Sequence, residues 1–572
     1  MTILKSEIRR GAYYDSIVLM QLRGALAELD GVVDSGAVMA TEANRALLAA
    51  SGLLPDEARG ARPDDLLVVV KAATAAAAAD ALGRLDALLV RRRATAAGEY
   101  RPRSLEGAFD ALPEARWVLV SVPGRYAAGV AGQALDHGRH VFLYSDNVAL
   151  ADEAALKAKA RSRGLLVMGP DCGTAIVGGV GLGFANRVRR GAVGIVAASG
   201  TGLQAVACHV HALGAGVSQA LGTGGRDLDA QVGAVTAHQG LELLARDSRT
   251  RAIVLVSKPP SPAVAARLLG RALSLGKPVV VDFLGYPPPA PRVGSLFFAR
   301  GLREAAELAV TLADAEDAGR TDEDGAAPAN AHSGYLRGLF SGGTLAYEAL
   351  QGLRCFLAPL ASNVKLDGVE RLAEAAHGPL GRDRGGVHSR GHTIVDLGAD
   401  ELTVGRLHPM IDPDLLLRRL RQEAADPEVG VVLLDVVLGH GACADPAERL
   451  APAIEDARRV RKLAVIAVVI GTDEDPQGLD VQVERLRDAG AEVVRCVDAA
   501  VERVARRLGR PEDEGFPAVD PEGLDGPIAA VNVGLESFYE SLIAQGAQAV
   551  QMDWRPPAGG NERLMAILEK LR

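Results

Sequence analysis

The amino-acid sequence predicts a multidomain α/β protein, with a Rossmann-like domain followed by two flavodoxin-like, parallel-sheet domains. Three observations carry this expectation. Short Val/Ile/Leu runs recur at strand length without the alternation of a half-exposed sheet, which marks parallel strands buried on both faces. The composition, 48% hydrophobic but 4% aromatic with 65 Gly among 572 residues, suits helix-covered parallel sheets. Two stretches also repeat one order of elements (strand, turn, helix, strand, helix, strand, helix, strand), each opening on a strand that ends in a small hydroxyl turn.

Taken in order, residues 1–105 alternate helix and strand. Ser16 to Leu29 is amphipathic, Gly31 to Met39 is strand-like, and Asp65-Leu-Leu-Val-Val-Val-Lys71 is a strand before an Ala-rich helix. The arginines from Arg91 read as a solvated helix end. Residues 106–190 form the Rossmann-like domain: Trp117-Val-Leu-Val, a helix to His137, His140-Val-Phe-Leu, another helix, and Gly164-Leu-Leu-Val-Met-Gly-Pro-Asp171-Cys172. The first repeated domain spans 191–313 and the second 334–510. Between them, the acidic and unpatterned residues 314–333 read as a linker. A small C-terminal α/β unit occupies 511–572, with strands at Val531 and Val550.

The repeat is visible motif by motif. The first copy runs Val193-Gly-Ile-Val-Ala-Ala-Ser199-Gly200-Thr201-Gly202, Ser218-Gln-Ala-Leu-Gly-Thr-Gly224-Gly225, Ala252-Ile-Val-Leu-Val-Ser-Lys and Lys277-Pro-Val-Val-Val-Asp-Phe-Leu-Gly285. The second runs Tyr335-Leu-Arg-Gly-Leu-Phe-Ser341-Gly342-Gly343-Thr344, His392-Thr-Ile-Val-Asp-Leu-Gly, Gly430-Val-Val-Leu-Leu-Asp-Val-Val and Lys462-Leu-Ala-Val-Ile-Ala-Val-Val-Ile-Gly471. The spacings place an insertion of about thirty residues between the first helix and second strand of the second copy. A strand that turns through Ser-Gly-Thr into a helix offers free N–H groups, hydroxyls and the positive end of the helix dipole to a phosphate or carboxylate. The same residues are also ordinary helix caps that need bind nothing.

Composition removes several classes of function. The net charge of -9 comes without a basic stripe, so nucleic acid is not an expected partner. No apolar run is long enough to span a membrane, and residues 1–20 lack a cleavage pattern. The five cysteines at 172, 208, 355, 443 and 496 show no C-x-x-C spacing and fit reduced thiols in a cytoplasm. His388, His392, His408 and Asp396 lie in or beside the insertion, but their spacing matches no zinc pattern, and no metal is assigned. Neither a Walker-type nor an ATP-grasp sequence is present, so no ATP site is expected in this chain. Cys172 reads either as a thiolate nucleophile or as a small buried hydrophobe.

At these motifs the chain resembles a known group. Leu165-Leu-Val-Met-Gly-Pro-Asp-Cys172, Gly194-Ile-Val-Ala-Ala-Ser-Gly-Thr201 and Leu221-Gly-Thr-Gly-Gly-Arg-Asp227 are similar, in order and spacing, to motifs of the succinyl-CoA synthetase α subunit over residues 115–290. Residues 334–508 resemble the ligase domain at the C-terminus of the β subunit. The order of parts, with His408-Pro-Met-Ile-Asp-Pro413 and the Asp553-Trp-Arg-Pro-Pro-Ala-Gly-Gly560 tail, is similar to the FdrA family of acyl-CoA synthetase-like proteins.

That resemblance implies a CoA-binding-type Rossmann domain and a phosphoryl group clamped by two helix N-termini, here Ser199, Gly200, Thr201 and Gly202 with Ser341, Gly342, Gly343 and Thr344. It places Asp171, Cys172, Gly224 and Gly225 at the substrate. The chain also departs from the pattern. The loop that carries the phosphorylated histidine reads Tyr286-Pro-Pro-Pro-Ala-Pro-Arg-Val-Gly294 here, and the glycine-rich loop for the CoA phosphates is missing. His440, in Leu438-Gly-His-Gly-Ala442 at a strand end, is the candidate catalytic histidine or else a turn residue. The family further implies partner subunits and an oxamate carbamoyltransferase reaction, oxalurate and phosphate giving oxamate and carbamoyl phosphate, in purine and allantoin breakdown. CoA-dependent acyl transfer and a non-catalytic scaffold subunit stay open beside it, as does CoA as a ligand.

Overall fold

A computed structural model describes residues 2–10, 16–62, 65–90, 101–286, 290–315, 334–372, 389–461, 463–508, 517–521, 524 and 526–556. The arginines from Arg91, His388, most of the 314–333 linker and the end of the C-terminal tail lie outside them. The chain divides into two compact units: residues 1–137, 145–147 and 529–572 form one, and 138–144 with 148–528 the other.

In the first unit an antiparallel sheet has its central strand, Leu66–Ala72, between Ile3–Arg9 and Val32–Met39. Ile3–Arg9 adds an edge strand that its charged residues hide in the sequence: Lys5, Glu7 and Arg9 alternate with Leu4 and Ile8. Because side chains alternate across a strand, the central strand feeds two cores. Leu66, Val68 and Val70 pack with Leu19, Leu22 and Leu26, while Leu67 and Val69 pack with Leu48 and Leu53. The C-terminal strands Ala529–Val533 and Gln548–Met552 do not form a unit of their own. They pair in parallel with each other, and Ala529–Val533 also pairs in parallel with Trp117–Val120. A two-stranded parallel pair leaves its outer polar groups unmet, so joining a distant strand is its route to a stable sheet.

The second unit contains both copies of the repeat, and both have flavodoxin-like strand order. In the eight-stranded sheet the parallel strands lie in the order Val217–Gly222, Arg190–Ala197, Ala252–Ser257, Val279–Phe283, Leu296–Phe298, which is 2-1-3-4-5 by position in the copy. The seven-stranded sheet repeats it as His392–Asp396, Tyr335–Phe340, Val429–Val437, Ala464–Ile470, Glu492–Val494. The insertion adds two short strands, Leu360–Ser362 and Glu370–Arg371, outside strand 2 of the second copy. In the first copy that side is occupied by the hairpin Thr174–Val177 and Val180–Gly183. The expectation of an α/β chain with two flavodoxin-like sheets is therefore met, and each sheet has one topological switch point, between its strands 1 and 3.

Candidate functional site

Ligands of such sheets bind beyond the C-terminal strand ends at the switch point, so those two places are the candidate site. In the first copy, strand 1 delivers Ser199 as the N-cap of helix Gly200–Ala212, its Oγ accepting from the Gly202 N–H at 3.2 Å. Gly202 leaves room for this cap, because a Cβ would come within 2.9 Å of Ser199 Oγ and 3.1 Å of Val256 and would make them shift. Gly200 has no such constraint: a Cβ there would meet nothing closer than 3.9 Å. Thr201 is exposed on the first turn.

Across the switch point stands a residue to which the sequence reading gave no role. Ala197 is in register with Val256, and the Ala198 N–H donates to the Val256 carbonyl. Two residues further on, Ser199 and Lys258 therefore leave the sheet side by side. Lys258 is exposed, and among the described residues it has no hydrogen bond or ion pair. The signal was present in the motif Ala252-Ile-Val-Leu-Val-Ser-Lys258, in which a lysine ends strand 3 of a repeat whose strand 1 ends in the hydroxyl turn.

The other candidates of the first copy gather on the same side of the sheet. Gly173 and Thr174 are the nearest neighbours of Gly200. Gly224, at φ +86, lies where a Cβ would strike the Pro170 carbonyl at 2.4 Å, so only glycine fits. Gly225 faces Asp171, which is itself exposed at φ 55. Cys172 is buried, its thiol donates to the Thr174 carbonyl, and burial pushes its pKa up to about 12, so it stays a thiol and packs as a small hydrophobe.

Beneath this loop lies a buried ionic cluster. Lys157 is 0% exposed and donates to Glu153 at 2.9 Å, to Asp227 at 2.8 Å and to the Thr223 carbonyl at 2.9 Å. Asp227 also accepts from the N–H groups of Thr236 and Ala237, capping helix Val235–Arg246, and Arg226 pairs with Glu153. All three Lys157 protons are used, and the loop bearing Gly224 and Gly225 is tied down at its first residue.

The second switch point has different chemistry. Ser341 is 4% exposed; its N–H donates to Asp435 Oδ1 at 2.7 Å and its hydroxyl to Asp435 Oδ2 at 2.8 Å. The N-cap of helix Gly343–Leu353 is Gly342, with no side-chain cap, and Asp396 Oδ2 lies where a Cβ on Gly343 would come within 2.9 Å. The positive end of this helix is thus answered by the protein's own carboxylates. His408 packs beside Gly398 at the same end. His392 sits at the opposite end of strand His392–Asp396, with Nδ1 accepting from the Leu336 N–H, so the two histidines do not converge. His440 is exposed between Gly439 and Gly441, both at positive φ, three residues beyond the end of strand 3. Among the described residues no hydrogen bond or ion pair links the Ser199 set to the Ser341 set.

Burial pushes the Asp435 carboxyl up to about 6, against the opposing pull of the Ser341 bonds, and burial likewise raises Asp396. From an ordinary value of 3.8, this means that the folded state binds an extra proton between pH 3.8 and about 6. The contribution of Asp435 is most favourable below that window and is lost as pH rises through it, by on the order of 3 kcal/mol. Asp435→Asn keeps the shape without the charge. It should flatten this part of the stability–pH profile in chemical denaturation between pH 4 and 7; an unchanged slope would show that Asp435 titrates normally.

In parts of its length the chain is similar to CoA ligases of the succinate–CoA ligase kind. A family model described as CoA-ligase matches residues 339–507, the second copy of the repeat, and one described as the AllF heavy metal-associated domain matches residues 1–103. The chain belongs to the family of the uncharacterised Escherichia coli protein YahF, to which it is 39% identical over 500 residues, covering 85% of this chain and 95% of that one. It is also 30% identical over 183 residues to the α subunit 2 of an ADP-forming succinate–CoA ligase of Archaeoglobus fulgidus, covering 31% of this chain and 61% of that one. Among solved structures, the acetyl-coenzyme A synthetase 1 of Ca. Korarchaeum cryptofilum aligns at 14% identity over 68% of this chain and 81% of its own, with a TM-score of 0.29, too low to bear on function. Among the described residues no helix is long and apolar enough to cross a membrane.

Proposed function

We propose that this chain is an acyl-CoA ligase-like subunit that handles an acyl or carbamoyl phosphate, with the phosphate held at the first switch point. The contrast between the two switch points carries the reading. At Ser199 a helix N-terminus with an exposed threonine opens beside the strand that runs out to Lys258, which has no ion pair among the described residues; at Ser341 the equivalent turn already faces the protein's own Asp396 and Asp435. In this reading the Ser199 and Thr201 hydroxyls and the first-turn N–H groups hold the phosphate, Lys258 offsets its charge, and Gly224, Gly225 and Asp171 border the acyl group. His440, exposed at the second switch point, is the candidate phosphoryl acceptor or proton carrier.

Within that class we favour an FdrA-type subunit of an oxamate carbamoyltransferase. A phosphate oxygen attacks the carbamoyl carbon of oxalurate, the bond from that carbon to the oxamate nitrogen breaks, and the nitrogen takes up the proton. N–H donors aimed at the carbonyl oxygen would stabilise the tetrahedral oxyanion. Partner subunits complete the assembly. The CoA-ligase match favours a second reading, CoA-dependent acyl transfer. Thermal stabilisation of the full chain by phosphate, carbamoyl phosphate, CoA or ATP separates these readings, because a ligand at about 100 times its Kd adds roughly 2.7 kcal/mol. Stabilisation by carbamoyl phosphate and phosphate supports carbamoyl transfer, stabilisation by CoA supports the second reading, and neither would retire both. ATP should not bind the isolated chain; micromolar binding in calorimetry would contradict that expectation.

A further inference from the structure

A heavy metal-associated domain implies a soft metal ion held by thiolate or imidazole, and residues 1–103 match such a domain. The side chains present do not fit that ion. Residues 1–103 contain neither cysteine nor histidine; the first histidine of the chain is His137 and the first cysteine Cys172. The remaining sulfur is the thioether of Met1, Met20 and Met39. Met39 is buried in the apolar cluster with Leu22 and Val68. Several oxygen donors are already committed: Asp65 accepts from the Arg62 N–H, Glu57 accepts from the Ser6 hydroxyl, and Glu7 and Asp86 both pair with Arg9. Among the described residues no three His, Cys, Asp or Glu side chains converge as a metal site.

The domain also has what a metal-free fold needs. Its sheet carries an apolar cluster on each face, so its core is closed by side chains alone. We propose that residues 1–103 keep the fold of a heavy metal-associated domain but neither store nor deliver a soft metal, serving the chain as a metal-free module. This goes beyond the functional reading above and does not depend on it.

The test uses the reduced full-length chain, offered Cu(I), Zn(II) and Cd(II) in turn, desalted, and examined for metal per chain by native mass spectrometry. Hydrogen exchange of the peptides covering 3–9, 32–39 and 66–72 is followed with and without each metal. The expected result is unchanged exchange in those peptides, with any retained metal lost when the three cysteines that are not buried are replaced together (Cys208→Ser, Cys443→Ser, Cys496→Ser). One metal equivalent kept by the triple variant, together with slowed exchange in any of those peptides, would overturn the proposal. Metal kept without such slowing is bound elsewhere in the chain and leaves the proposal supported. Should the triple variant misfold, the exchange data on the unmodified chain decide by the same criterion.

Discussion

Lys157→Met is expected to destabilise the unit containing both repeats by about 3–5 kcal/mol, the range for removing one partner from a buried ion pair. The size follows from what remains. Glu153 and Asp227 are both 0% exposed, and without the ammonium group their carboxylates face a low-dielectric interior with fewer donors. The Thr223 carbonyl loses its lysine donor as well, so the loop bearing Gly224 and Gly225 should loosen. The triple change Glu153→Gln, Lys157→Met, Asp227→Asn removes the orphaned charges and should recover much of the loss, since an asparagine oxygen can still cap helix Val235–Arg246. Denaturant unfolding followed by a probe within residues 138–528 measures this without assuming that the whole chain unfolds in one step. A single variant within about 1 kcal/mol of the parent would mean that the cluster is hydrated and worth no more than a surface pair.

Lys157 also marks where sequence reading stops. Glu153 and Lys157 are four apart on a helix, the spacing of an ordinary solvated pair, and nothing local says that this helix face is covered. The repeat was legible because each strand is a continuous apolar run and each copy opens on the same turn, so strand order follows from the alignment of copies. Glu370–Arg371 was not, because two polar residues carry no period. The partnership of the C-terminal strands with Trp117–Val120 was hidden by some four hundred intervening residues. At the site, the turns could be read but their states could not. Ser341 looks like Ser199 in sequence, and the carboxylate that differentiates them is 94 positions away. There was a hint, since Asp435 interrupts the apolar run Val431-Val-Leu-Leu-Asp-Val-Val, where a buried carboxylate has to be satisfied by something.

The two serines therefore make different predictions. If phosphate binds at the first switch point, Ser199→Ala removes a hydrogen bond to a charged group, worth roughly 1.5–3 kcal/mol, and affinity for phosphate or carbamoyl phosphate should fall by about tenfold or more. It should also cost about 1 kcal/mol in stability, because Ser199 caps its helix. Gly200→Ala separates the two effects. The space around Gly200 accepts a Cβ in the protein alone, and alanine favours helix, so stability should hold or rise slightly. A phosphate drawn against the first turn would meet the new methyl group, and affinity should fall. Ser341→Ala should behave the opposite way: a buried hydroxyl donor is lost, Asp435 is left less satisfied, and stability drops by about 1–3 kcal/mol while phosphate affinity at the first switch point stays intact. A two-helix clamp on a single phosphoryl group predicts instead that Ser341→Ala weakens the ligand as Ser199→Ala does, with coupling in the double variant. Binding calorimetry with carbamoyl phosphate, run beside denaturation for the three single variants and the double, discriminates among these cases. Normal affinity in both Ser199→Ala and Gly200→Ala would leave the turn a helix cap and take the phosphate site away from the first switch point.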